Sequence, residues 1–167
     1  MLTLNEMGLD TQAAFAMVQT ITRDKCRTPM QWSAEANAGF SPAGVSTWLP
    51  VNPNYAQGVN VAEQDGDPDS LLNFYRHLLA VRKAAPALIA GDYQALHPQA
   101  EDYFAFLRRT LEQTCLVVLN YVDTVHTLSF DLDAKDGRLV FSNKEKTGFV
   151  SLTEVLLEPY EILILEI

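Results

Sequence analysis

The sequence predicts a mostly β protein: an antiparallel β-sandwich over residues 91–167, preceded by two helices and an irregular, aromatic-rich loop. Two observations carry this. After Gly91 the apolar residues come in short runs bounded by turn residues, as strands do. Before it, apolar residues recur at helical spacing in two places only, on either side of about forty residues rich in Pro, Gly and Asn.

The first element is a short amphipathic helix from Asp10 to Thr22. Ala14, Phe15, Val18 and Ile21 share one side, and Asp10 is placed to cap the first turn. An apolar stripe of this kind serves core packing. Between Arg23 and Gln64 the period is lost at Pro29, Pro42, Pro50 and Pro53, yet Met30, Trp32, Phe40, Trp48 and Tyr55 are scattered through the stretch. An irregular segment this long is abnormal in a small domain, so these side chains are expected to lie against something.

Asp67, Pro68, Asp69 and Ser70 then supply a cap, a proline for the first helical position and an acid for the first turn. Leu71, Leu72, Tyr75, Leu78, Leu79 and Arg82 follow at three- and four-residue intervals, and Pro86 stops the run. The spacing predicts a helix from about Pro68 to Ala85. Alternating Asp65, Asp67 and Asp69 also suggest a calcium loop, but Arg76 stands where an EF-hand needs its bidentate Glu, so helix capping is the better reading.

Strands are expected at Asp92 to His97, Asp102 to Arg109, Thr114 to Tyr121, Val125 to Asp131, Arg138 to Ser142, Phe149 to Thr153 and Tyr160 to Ile167. This succession suggests a sandwich. Cys115 to Leu119 is apolar throughout, as a strand buried on both faces is, whereas Leu128 to Asp131 and Tyr160 to Leu163 mix faces like outer strands.

Composition narrows the function. The hydrophobic fraction of 48% suits a folded chain, and a formal charge of −9, without a basic cluster, excludes a phosphate-gripping surface for nucleic acid. Cys26 and Cys115 have no second Cys or His at metal-ligand spacing and are expected as free thiols in a reducing compartment. The first residues show no basic region before a long apolar stretch, and no window has the apolar length a bilayer requires. A cytoplasmic protein without a membrane partner is the expectation.

No nucleophile elbow, phosphate loop or zinc-protease motif occurs, and no cofactor or metal is expected. His77, His97 and His126 are placed as surface or satisfied histidines. A glycosidase would need two carboxyl groups roughly 5–10 Å apart, but most acids here fall in turns, caps and exposed strand positions. Asp24 stands between Arg23 and Arg27, which would neutralise it locally.

Three runs are more specific. Arg23 to Trp32 reads R-D-K-C-R-T-P-M-Q-W, Asn37 to Ser41 reads N-A-G-F-S, and Trp48 to Tyr55 reads W-L-P-V-N-P-N-Y. They resemble the R-D-x-x-R-T-P-M-Q-W segment and its continuation in oligo-1,6-glucosidases, α-glucosidases, dextran glucosidases and trehalose synthases of the α-amylase superfamily. The likeness extends through Asp67 to Arg76, Leu79 to Lys83 and Pro86 to Tyr93, where that family has its last barrel helix and the entry to its C-terminal β-domain. Lys25, Cys26 and Ser33 depart from the family, in which Asn-Ala and Asp are usual.

The resemblance implies a retaining α-glycosidase on a TIM barrel, with an Asp nucleophile, a Glu acid/base and a second Asp that holds the sugar. In the family all three precede the R-D-x-x-R segment, and nothing from Met1 to Thr22 matches them, so no catalytic residue is carried over. Arg23 is similar to the arginine that reaches the glucose at the non-reducing end, where a guanidinium fork binds ring hydroxyls; a salt bridge to Asp24 or to the missing barrel is the other reading. The implied organisation is residues 1–90 as the end of a (β/α)8 barrel and residues 91–167 as a C-terminal sandwich. On this reading the chain is a C-terminal fragment, silent alone and expected to form a homodimer or a larger oligomer through the apolar N-terminal half. The alternatives are a non-catalytic carbohydrate-binding or interaction module using the sandwich or the Trp32, Phe40, Trp48 and Tyr55 loop, and a chain that works with a separate barrel-bearing polypeptide.

Overall fold

The computed structural model describes residues 23–167; the helix expected from Asp10 to Thr22 lies outside them. The chain divides into two compact units, residues 1–74 and 75–167.

The second unit holds the sheets. Strands β1 (Asp92–Leu96), β2 (Tyr103–Arg109), β3 (Thr114–Asn120), β5 (Asp136–Ser142), β6 (Phe149–Ser151) and β8 (Ile162–Glu166) form a six-stranded sheet in the order β1-β2-β3-β8-β5-β6. Each pairing in it is antiparallel. Strands β4 (His126–Leu128) and β7 (Val155–Leu157) form a separate antiparallel pair. The fold is therefore mostly antiparallel β, as the punctuated apolar runs predict.

Alternation assigns the two faces of the large sheet. Ala105, Leu107, Leu116, Val118, Leu163 and Leu165 point to one side and pack with Leu128, Val155 and Leu157 of the small sheet, together with Phe130 and Leu152. On the other side Cys115 packs under Ala85 and Ala87, and the ring of His77 lies edge-on to Phe141 at 5.3 Å. Both faces of β3 are thus covered, which is why Cys115 to Val118 has no polar position.

The last strand corrects the sequence reading. Tyr160 to Leu163 looks like an outer strand because Glu161 and Tyr160 interrupt its apolar run, but β8 sits between β3 and β5. The misleading acid is fully buried just before β8, where Lys146 and Ser142 satisfy it. The pairing of β5 with β8 slips between Leu139 and Phe141, and β7, three residues long, falls between two predicted strands.

The helices also differ in detail. Helix α1 (Val61–Gly66) was not evident from the sequence; Asn60 caps it, accepting from Glu63 N at 3.0 Å and donating to the Glu63 carboxylate at 3.1 Å. Helix α2 (Leu71–Ala84) starts after Ser70 rather than at Pro68, because the Ser70 hydroxyl takes the capping role toward Asn73 N at 3.2 Å. Asp67 closes the preceding turn, its carboxylate accepting from Asp69 N at 3.0 Å. Pro86 ends α2 but also begins α3 (Pro86–Ala90), whose residue Ala87 donates its N–H to the Gln113 side chain at 3.0 Å.

Candidate functional site

The candidate site lies in the first unit. Arg23 opens a short 3-10 turn, Arg23–Cys26, and is exposed. Pro29 is buried, and beyond it the amide of Gln31 donates to Asn54 Oδ1 at 2.9 Å and to the Val59 carbonyl. Backbone N–H groups of Val61 and Ala62 donate to the carbonyls of Gln31 and Trp32, both at 3.0 Å. The Arg23 segment is therefore tied to the start of α1 by polar bonds.

A second knot turns the loop back. Asn37, Ala38 and Gly39 all have positive φ, at 53°, 54° and 66°. Two consecutive non-glycine residues in the left-handed region are costly, and surrounding bonds must hold them there. The Ala38 carbonyl accepts from Trp32 N at 2.8 Å and Ser33 N at 3.1 Å, while the Asn37 amide reaches Ser41 Oγ, Pro42 O and Val45 O at 2.9–3.1 Å. Asn37 is suited to the position, since its short amide tolerates positive φ and bonds locally.

These ties leave the aromatic side chains outside. Trp48 is 76% exposed and Trp32 51%, and Phe40 is also exposed. The Trp48 indole N–H donates to the Arg27 carbonyl at 3.1 Å, and its ring contacts Phe40 at 6.1 Å. Trp48, Leu49, Arg27 and Thr28 line an open cleft beside it. Among the described residues of this unit no large apolar side chain is buried. Amide side chains at Gln31, Asn37, Asn54 and Asn60 do the work that an apolar core does elsewhere, and nothing in residue spacing marked them. Chemically the segment offers a guanidinium at Arg23 and flat apolar rings, the groups that contact sugar hydroxyls and sugar faces.

The other residues singled out from sequence have local partners. His97 Nδ1 lies 2.8 Å from the Tyr103 hydroxyl and its ring stacks on Phe130 at 4.9 Å; His126 Nε2 lies 3.3 Å from Thr124 Oγ1. The Asp24 side chain lies outside the described ones. Both cysteines are free, Cys26 exposed and Cys115 buried. Among the described residues no helix is long and apolar enough to cross a membrane.

Comparison with known proteins gives one consistent answer. The family described as alpha amylase, catalytic domain, matches residues 2–91. Glucan 1,6-alpha-glucosidase of Streptococcus dysgalactiae subsp. equisimilis is 41% identical over 127 residues, covering 76% of this chain and 23% of that protein. A probable oligo-1,6-glucosidase 2 of Bacillus subtilis (strain 168) is 39% identical over 116 residues, covering 70% and 20%. Among solved structures, trehalulose synthase MutB from Pseudomonas mesoacidophila MX-45 superposes with a TM-score of 0.79 at 31% identity, over 92% of this chain and 28% of that one. The chain thus spans between a fifth and a quarter of the length of these two curated relatives. Matched family, relatives and fold agree with the motif that begins at Arg23: the chain belongs to the α-amylase family of glycoside hydrolases and is similar to glucan 1,6-alpha-glucosidase and oligo-1,6-glucosidase members of it.

Proposed function

We propose that this chain is the C-terminal part of an α-glucosidase-type glycoside hydrolase acting on α-linked glucosides, and that alone it turns over no substrate. The observation that carries the reading is the R-D-x-x-R-T-P-M-Q-W run from Arg23 to Trp32, folded into a hydrogen-bonded loop with Arg23 exposed. In the complete enzyme Arg23 binds hydroxyls of the terminal glucose, and its fixed guanidinium geometry favours cleavage from the chain end. Cleavage itself requires a proton donor and a nucleophile at the anomeric carbon, and those groups come from sequence outside this chain.

The test joins the chain in frame to the upstream barrel of an oligo-1,6-glucosidase relative and assays a chromogenic α-glucoside. The hybrid should be active, Arg23→Ala should lower its kcat/KM, and the chain alone should match a buffer blank. Turnover that follows the isolated chain through repurification would overturn the proposal.

The exposure of Trp48, Trp32 and Phe40 favours a second reading, a sugar-binding surface that acts without catalysis. Saturation of the indole N–H signals with isomalto-oligosaccharide in the isolated chain separates the two.

A further inference from the structure

The outer face of the large sheet carries a cavity of about 390 Å3. Phe106, Val117 and Ile164 form its floor, Leu88 of α3 walls it, and the charged side chains lining it are Arg82 and Arg108. A pocket of this size is at the lower end of the range of roughly 300–1,000 Å3 for small-molecule sites, which are mostly apolar with a few placed polar groups.

Among the described residues neither guanidinium group forms an ion pair. Arg108 Nε donates to the Ala87 carbonyl at 3.4 Å and Nη2 to the Ile89 carbonyl at 3.5 Å, long contacts to neutral oxygens that hold the side chain without neutralising it. In the cross-strand row Arg108 stands opposite Cys115, and Cys115 opposite Glu166, so that acid is two strands away. Glu166 is already engaged by Gln113 Nε2 at 2.9 Å and by Arg138. Arg82, in the exposed last turn of α2, has no ion-pair partner among the described residues. In a chain of formal charge −9, an apolar cavity flanked by two arginines that have no ion-pair partner among the described residues is a local exception.

We propose that this cavity binds an aliphatic monocarboxylate, its alkyl chain lying over Phe106, Val117 and Ile164 and its carboxylate between Arg82 and Arg108. Guanidinium forks match a carboxylate, and such charge-assisted hydrogen bonds are about twice as strong as neutral ones. The cavity volume suits one medium-length chain. The site belongs wholly to residues 75–167 and does not rest on the function proposed above.

The experiment titrates the full chain with decanoate below its micelle concentration, and in parallel with decanol and acetate, following backbone amides by heteronuclear NMR. Decanoate should shift Val117 and Ile164 and bind about tenfold tighter than decanol, while acetate leaves them in place. Arg82→Met and Arg108→Met should each reduce decanoate toward the decanol affinity and leave decanol unchanged. If Arg108→Met unsettles α3, Arg82→Met carries the test alone. Equal affinity for decanoate and decanol, shifts confined to other residues, no binding of decanoate, or indifference to Arg82→Met would overturn the proposal.

Discussion

The carboxylate of Glu161, fully buried just before β8, meets the ammonium of Lys146 at 2.6 Å, and Ser142 Oγ and Glu158 N complete its shell at 2.9 and 2.8 Å. A buried ion pair adds little net stability over an apolar pair, but losing one partner strands the other charge. Lys146→Met should cost about 3–5 kcal/mol, read as a lower urea midpoint by far-ultraviolet circular dichroism. Adding Glu161→Gln should restore most of it, because the amide oxygen can accept from Glu158 N while the amide N–H donates to the Ser142 hydroxyl. An unchanged midpoint for the single variant would show that the pair is dispensable.

The two thiols should react at very different rates. Cys115 is buried under Ala85 and Ala87, and burial, reinforced by the nearby Glu166 charge, pushes its thiol up to about 11; Cys26 is exposed. Since the thiolate is the reactive form, a disulfide reagent at pH 8 should titrate one thiol quickly and the second only on unfolding. Two fast thiols would contradict the packing of α3.

At Gly91 the obstacle to a side chain is space. A methyl group there would come within 2.5 Å of the Ala87 carbonyl oxygen and 2.7 Å of Arg109 N, both backbone atoms. Gly91→Ala should therefore destabilise by about 1–3 kcal/mol, whereas Gly148→Ala meets no neighbour and suffers only from its φ of +81°. Thermal melts of the two variants compare the causes directly.

Glu166 makes stability depend on acid. Hydrogen bonds from Gln113 first, then from Arg138, hold its carboxyl below the ordinary 4.5. A lowered folded value means that the stabilisation is complete above the unfolded value and is lost as pH falls through the folded one. Glu166→Gln should accordingly be less stable than the parent at neutral pH, with the gap closing below about pH 4.5. A gap of constant size from neutral to acid pH would remove the carboxylate from the explanation.

Trimming tests where the β unit begins. Ala85 and Ala87 cover Cys115, and Ala87 N is bound to Gln113, so residues 91–167 lose contacts that residues 75–167 keep. The longer segment should melt cooperatively and at a higher temperature than the shorter. Equal melting would make α2 and α3 irrelevant to the sheet.

Much was legible in order along the chain. The all-apolar Cys115 to Leu119, the turn-bounded strands after Gly91 and the helix ending before Pro86 are local patterns, and a local pattern states which side of an element avoids water. The segment from Arg23 to Trp32 was legible for another reason: so many specified residues in fixed order identify a family without any structure. What periodicity cannot encode is the identity of neighbours. Only the tertiary structure inserts β8 between β3 and β5, because strand order depends on which surfaces bury together at long range. Only it turns Glu161 from an apparent solvent-facing acid into a buried one, because the compensating charge of Lys146 lies fifteen residues away in sequence. The same holds for Trp48. Its size suggests burial, yet the polar ties of Gln31, Asn37 and Asn60 fix the backbone of its loop and leave the ring exposed.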